Sequence, residues 1–214
     1  MLTKLENLQR IIKTGIVAIV RTEYPENALK IVEAIKKGGI DIIEVTFTVP
    51  SAHRVLEELS KRYDKEEILL GAGTILDSET ARIAMLSGAE FFVSPSFDSK
   101  VAIMCNRYQK IYMPGCKTPK EMILAMESGV EIIKYFPGND SDPSIVKALK
   151  GPLPQAALLP TGGVSISNAG DWIRNGSIAI GVGGELIAGA KSGDFDAVTE
   201  TAKEFYRVVN EARS

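Results

Sequence analysis

Short apolar runs alternate with longer amphipathic stretches along the chain, and the alternation repeats eight times. The runs are Ile16–Val20, Ile40–Val45, Ile68–Leu70, Phe91–Val93, Lys110–Met113, the run carrying Lys134, Ala157–Leu159 and Ile178–Ile180. Each is too short for a helix and mostly apolar, as a parallel strand buried on both faces is. The stretches between them read as helices. Pro25 opens one through Ala28, Leu29, Val32 and Ile35, stopped at Gly38-Gly39. Pro50-Ser51 opens the next, past Val55, Leu56 and Leu59, and Ser78-Glu79 another, ending at Gly88. Further helices are predicted from Ser99 to Asn106, from Thr118-Pro119-Lys120-Glu121 to Gly129, from Pro143 to Lys150, from Asn168 to Asn175 and from Phe195 to Glu211. Before the first strand, Leu2, Leu5, Leu8, Ile11 and Ile12 space an amphipathic helix over Met1–Lys13.

Eight strand–helix units predict an α/β fold: a single (β/α)8 TIM barrel over residues 1–214 with an extra N-terminal helix. An open, doubly wound sheet is the alternative that the same pattern allows. The composition agrees with one packed soluble domain, 45% hydrophobic and 24% charged. A net charge of −2 leaves no basic excess for nucleic acid, and no apolar run reaches the ~20 residues of a membrane span. Cys105 and Cys116 form no Cys-x-x-Cys pair and read as reduced thiols of a cytoplasmic protein. The single histidine, His53, argues against a His-rich metal site and a Ser-His-Asp triad.

The chemistry sits where the runs end, because a barrel builds its site at the C-terminal ends of its strands. Those ends are Arg21, Glu44 with Thr46, Thr74, Ser94-Pro95, Pro114-Gly115, Lys134, Thr161-Gly162-Gly163 and Gly181 to Gly184. Lys134 closes an apolar run and is followed by Tyr135, Phe136, Pro137 and Gly138. Desolvation there lowers an ammonium pKa and leaves a nucleophilic amine, as Schiff-base chemistry requires. The same lysine, taken alone, also fits a stem packed on Tyr135 or Phe136 with its head in water. Glu44 stands among Ile42, Ile43 and Val45. Facing the interior it would be a proton-exchanging carboxylate, its pKa raised unless Arg21 or Lys134 compensates; the alternatives are a side chain pointing outward toward a helix, or a structural ion pair with Arg21. The glycine-rich ends of the last two strands fit an anion cradle of backbone N–H groups, or tight turns alone.

Taken together, Val20-Arg21, Glu44-Val45-Thr46, Gly71-Ala72-Gly73-Thr74, Val93-Ser94-Pro95, Met113-Pro114-Gly115, Lys134-Tyr135-Phe136-Pro137, Pro160-Thr161-Gly162-Gly163-Val164 and Gly181-Val182-Gly183 resemble the class I pyruvate-dependent aldolases that cleave 2-keto-3-deoxy-6-phosphogluconate (KDPG) or 4-hydroxy-2-oxoglutarate. The resemblance covers nearly the whole chain. It implies a metal-free, cofactor-free lyase of small 2-keto acids, a homotrimer of barrels, working in the Entner–Doudoroff pathway. It makes Lys134 the Schiff-base lysine and Glu44 the acid/base carboxylate. Thr74 holds the pyruvyl carboxylate, Pro95 and Phe136 wall the pocket, and Gly162 and Gly163 bind phosphate through backbone, with Gly183, Gly184 and Arg21 completing the substrate site. Two positions depart from the pattern. Thr48 stands where some members carry arginine, and Gly184 where many carry serine. The loss of a serine donor is worth about 1–3 kcal/mol against a charged phosphate. A galactonate-derived substrate epimeric at C4, a metal-free phosphosugar isomerase or epimerase on the same barrel, and a silent phospholigand-binding protein are the rival readings.

Overall fold

The computed structural model describes residues 3–214; Met1 and Leu2 of the predicted first helix lie outside the described residues. Eight strands form one sheet: β1 (Ile16–Val20), β2 (Ile42–Thr46), β3 (Leu69–Gly73), β4 (Phe91–Ser94), β5 (Ile111–Cys116), β6 (Ile133–Tyr135), β7 (Leu158–Pro160) and β8 (Ile180–Val182). Their order is β7-β6-β5-β4-β3-β2-β1-β8, every paired neighbour parallel. The ends meet: Thr161 bridges Gly181, and the Ile178 N–H donates to the Leu158 carbonyl at 3.0 Å. The sheet therefore closes into a (β/α)8 barrel, and the open-sheet alternative falls.

Helices α1 (Thr3–Thr14), α2 (Pro25–Lys37), α3 (Ala52–Arg62), α4 (Ser78–Leu86), α5 (Ser99–Arg107), α6 (Pro119–Glu127), α7 (Ile145–Lys150), α8 (Ile166–Arg174) and α9 (Phe195–Arg213) complete it, with a 3-10 turn at Ala188–Ser192. Their starts follow local chemistry. Asp77 and Asp98 cap α4 and α5, and Thr118 with Glu121 forms the capping box of α6. Helix α8 starts at Ile166, ahead of the expected Asn168, because Asn168 is the third residue of a second capping box: its Oδ1 accepts from the Ser165 N–H at 2.9 Å. Helix α7 starts at Ile145 rather than at Pro143.

Strict alternation along the strands splits the core in two. Ile16, Ala18, Val20, Ile43, Val45, Ala72, Phe92, Ile133 and Tyr135 pack outward under the helices. Val17, Ile42, Leu69, Phe91, Ile111, Ile132, Leu159 and Ala179 point inward and fill the N-terminal end of the barrel, where Ile11 of α1 joins them as a buried plug. Arg10 and Thr14 tie α1 to Asp41, just ahead of β2, at 2.8 and 3.0 Å. The extra helix thus closes the end opposite the strand C-termini.

Candidate active site

The same alternation carries inward from the apolar floor to Glu44 on β2, Lys134 on β6 and Thr161 after β7. Strands β2 and β6 stand four apart in a ring of eight, so Glu44 and Lys134 face each other across the barrel. Both are buried, Glu44 at 3% and Lys134 at 7% exposure, and among the described residues they form no salt bridge with each other or with another group. Burial pushes the Glu44 carboxyl up, against the pull of the Lys134 and Arg21 charges. Burial pushes the Lys134 ammonium down, opposed by Glu44 and reinforced by Arg21. Each is moved toward its neutral form, which favours a free amine at one wall and a proton-exchanging carboxyl at the other. The outward reading of Glu44 is excluded, and so is a Lys134 with its head in water.

Glycine makes the room. A Cβ on Gly73 would collide with the Glu44 carboxylate, one on Gly181 with the Thr161 hydroxyl, and one on Gly71 with the Phe91 ring. Gly71 and Gly73 are strand residues of β3, which runs on past the apolar run Ile68–Leu70; β5 likewise runs on through Pro114-Gly115. Gly115 lets the Pro95 carbonyl approach its backbone, where a Cβ would block it. Pro95 is held further by Ser94, whose Oγ lies 2.7 Å from the Tyr112 hydroxyl and donates to the Ser96 carbonyl at 2.5 Å.

The other expected positions line the same end. Thr74 directly follows β3 with φ +59°, a left-handed conformation that is strained for a β-branched residue and typical of functional sites. The Phe136 ring centroid lies 4.6 Å from the Lys134 Nζ. Lys117 pins the next loop: its Nζ donates to the Pro137 carbonyl at 2.6 Å, to Ser141 Oγ at 2.9 Å and to the Asp140 carboxylate. Gly162 and Gly163 both have positive φ, and Gly163 packs against Asn139 too closely for a side chain. Among the described residues the N–H groups of Gly162, Gly163 and Gly184 donate to no protein acceptor. Gly183 packs beside Ile19, and Gly184 lies in open space. Arg21 is exposed at the rim, one residue past β1.

Some site features carried no sequence signal. The Thr161 Oγ1 is buried without a hydrogen-bond partner. The strand-end position was visible, but a polar atom left free inside the barrel was not. Thr46 Oγ1 donates to the Val20 carbonyl at 3.3 Å and lies 2.8 Å from Thr48 Oγ1, so Thr48 extends the wall above Glu44. A cavity of about 540 Å³ opens beside the Glu44–Lys134 pair rather than between them, with Arg21, Thr48 and Lys191 in its lining. The two thiols take no part: Cys105 and Cys116 are buried and pushed up to about 12. Among the described residues no three His, Cys, Asp or Glu side chains cluster as metal ligands.

An inward lysine faces an inward glutamate at the C-terminal mouth of a (β/α)8 barrel, and the comparisons with known proteins fix the family. The family model described as KDPG and KHG aldolase matches residues 8–201, and the chain belongs to that family. It is an aldolase. It is 30% identical over 213 residues to 2-dehydro-3-deoxy-phosphogluconate aldolase of Treponema pallidum, covering 98% of this chain and 99% of that one. It is also 30% identical over 201 residues to 2-dehydro-3-deoxy-6-phosphogalactonate aldolase of Escherichia coli, covering 94% and 97%. The structure of a KDPG aldolase from Legionella pneumophila, with pyruvate captured at low pH as a covalent carbinolamine intermediate, superposes with a TM-score of 0.82 at 26% identity, covering 89% of this chain and 93% of that one.

Proposed function

We propose that the protein cleaves KDPG to pyruvate and glyceraldehyde 3-phosphate, and 4-hydroxy-2-oxoglutarate to pyruvate and glyoxylate, through a Schiff base on Lys134. The observation that carries this reading is the buried, unpaired Lys134 facing the buried, unpaired Glu44 across the barrel. The neutral Lys134 amine adds to the C2 ketone, and the carbinolamine loses water to give an iminium. Glu44, through a water, takes the proton of the C4 hydroxyl. The C3–C4 bond breaks, its electron pair passes into the iminium, and the aldehyde leaves. The resulting enamine is protonated at C3 with the proton held by Glu44. Hydrolysis then frees pyruvate and restores the amine. The iminium is the electron sink, so these steps route through this chain's own residues. The carbinolamine trapped in the Legionella relative supports the same covalent route here.

The remaining residues position the substrate. Strained Thr74 holds the carboxylate next to the ketone, and Pro95 and Phe136 wall the apolar side. The free N–H groups of Gly162, Gly163 and Gly184, with Gly183 beside them, receive the phosphate. The orphan Thr161 hydroxyl, in the same interior layer as Lys134 and Glu44, takes a substrate hydroxyl. The E. coli galactonate-derivative aldolase keeps the C4 epimer in play as a second substrate. The enzyme acts in the cytoplasm, in the Entner–Doudoroff sequence, as a homotrimer. Ile83 and Leu86 on α4, Ile103 on α5, and Ile123 and Leu124 on α6 are large exposed apolar groups, apt for a subunit contact. Light scattering should return three times the chain mass.

The deciding experiment is intact mass after incubation with pyruvate and sodium borohydride, followed by peptide mapping. A reduced pyruvyl adduct on the Lys134 peptide is expected. Folded protein without an adduct would remove the Schiff-base reading and leave Glu44 as the base of an isomerase.

A further inference from the structure

Strand β6 carries Lys134 yet is only three residues long. The chain leaving it, residues 136–142, forms neither helix nor strand. One side chain of the neighbouring loop fastens it. The Lys117 ammonium has three protons and meets three acceptors: the Pro137 carbonyl at 2.6 Å, Ser141 Oγ at 2.9 Å and the Asp140 carboxylate. Its Nζ also lies 4.5 Å from the centroid of the Tyr135 ring, and the Tyr135 hydroxyl lies 2.8 Å from Ser141 Oγ. The backbone beneath the ammonium is itself fixed. The Lys117 N–H donates at 2.9 Å to the Glu121 carboxylate, which belongs to the capping box of α6. Lys117 therefore grips the chain immediately after Lys134, from a rigid base.

The grip reaches the glycine turn after β7. The Gly138 N–H donates to the Thr161 carbonyl at 2.9 Å, and the Thr161 N–H to the Tyr135 carbonyl at 3.0 Å. Asn139 packs on Gly163 so closely that a Cβ there would lie 2.7 Å from the Asn139 Cα. The loop held by Lys117 is thus the wall against which Gly162 and Gly163 present their N–H groups. A phosphorylated substrate must reach from the Lys134 amine to those N–H groups. The two ends of that span sit on different strands, and the loop between them gains its rigidity from charge-assisted hydrogen bonds to one cation.

We propose that Lys117 is a positioning residue: by clipping the β6 loop it sets the separation between the Schiff-base amine and the glycine turn. The proposal rests on the aldolase reading above and gives a role to a side chain outside the substrate site. Two rates separate the two ends of the span. Exchange of the pyruvate methyl protons with deuterated water, followed by NMR, engages Lys134 and Glu44 but not the glycine turn. Cleavage of KDPG engages both. Lys117→Met keeps the length of the side chain and removes its charge and its three donors. It should lower kcat/KM for KDPG about tenfold, as a small misplacement of one substrate end does, and leave the exchange rate unchanged. Lys117→Arg should restore at least part of the loss. Asp140→Asn, which weakens one of the three bonds, should cost less, about threefold. Lys120→Gln, at the exposed start of α6, should change neither rate. Equal losses of exchange and cleavage in Lys117→Met would mean that Lys117 only maintains the fold. That result, unchanged cleavage, no recovery in Lys117→Arg or the same fall in Lys120→Gln would overturn the proposal. The unmodified protein tests the reading beneath it. No exchange and no borohydride-trapped pyruvate would bring down the aldolase reading. Exchange with KDPG cleavage that Lys117→Met leaves unmoved would bring down the clip alone. Exchange without any KDPG cleavage would remove the glycine turn as a substrate contact, and the clip with it.

Discussion

The barrel interior has two storeys built by the same eight strands, and they follow opposite rules. The lower storey, Val17, Ile42, Leu69, Phe91, Ile111, Ile132, Leu159 and Ala179 under the Ile11 plug, is apolar and close-packed. The upper storey, two residues further along the strands, holds Glu44, Lys134 and Thr161 beside the apolar Val93 and Met113, with glycine at 71 and 181, and at 73 one step higher, where neighbours need space. Below, every inward side chain fills volume and stabilises the fold. Above, ionisable groups are buried without partners, and backbone positions give up side chains to seat them. Stability is concentrated in one layer and chemistry in the next, about one strand pleat apart.

The sharpest way to break that contrast is to exchange the roles. Lys134→Met removes the proposed nucleophile but keeps the volume. Cleavage should fall about 10⁴-fold or more, with no trapped adduct. Thermal stability should hold or rise, because a desolvated ammonium is replaced by an apolar side chain. Retained cleavage would refute the assignment. Phe91→Ala in the lower storey should do the reverse: a loss of about 3–5 kcal/mol in denaturant unfolding, with kcat preserved in the protein that remains folded. Loss of kcat with intact stability would show that the storeys are not separable.

Gly73→Ala tests the boundary between them. Its methyl would meet the Glu44 carboxylate, so the carboxylate must move, and displacing the proposed acid/base group should cost about 10²-fold in kcat. Borohydride trapping of pyruvate should survive, since Lys134 faces the other wall. Thr74→Gly relieves the positive φ of a β-branched residue. It should raise stability by about 1 kcal/mol while weakening KM for the 2-keto acid, the usual opposition of stability and function at a strained site. The smallest effect is electrostatic. The Arg21 charge helps hold the Lys134 pKa down, so in Arg21→Gln the lysine keeps its proton to higher pH. The acid limb of the pH–trapping profile should therefore move to higher pH. A shift to lower pH, or none, would remove Arg21 from the electrostatics of the pair.

Much of this was legible in the chain. The eight strands, and the identity of Lys134 and Glu44, follow from apolar runs interrupted by single ionisable residues. The glycines were the harder part. Gly71, Gly73 and Gly115 stand at the ends of apolar runs, where glycine commonly marks a turn; in the structure they continue the strands β3 and β5 and admit a neighbour's atoms. That neighbour comes from the adjacent strand, and no local pattern names it. The free Thr161 hydroxyl and the pairing of Arg21 with Lys191 around one cavity are of the same kind: each depends on residues distant in sequence.

The sequence by itself determined the alternation, the helix caps and which residue types stand at the strand ends, because those depend on local periodicity and local hydrogen bonds. Only the tertiary structure decided the rest. Ring closure between β7 and β8 set β2 opposite β6 and turned Glu44 and Lys134 toward one another. Burial on both sides then shifted their proton affinities toward the neutral forms. Desolvation and distance across a closed barrel are properties of the whole ring, and they exist only once all eight strands have found their places.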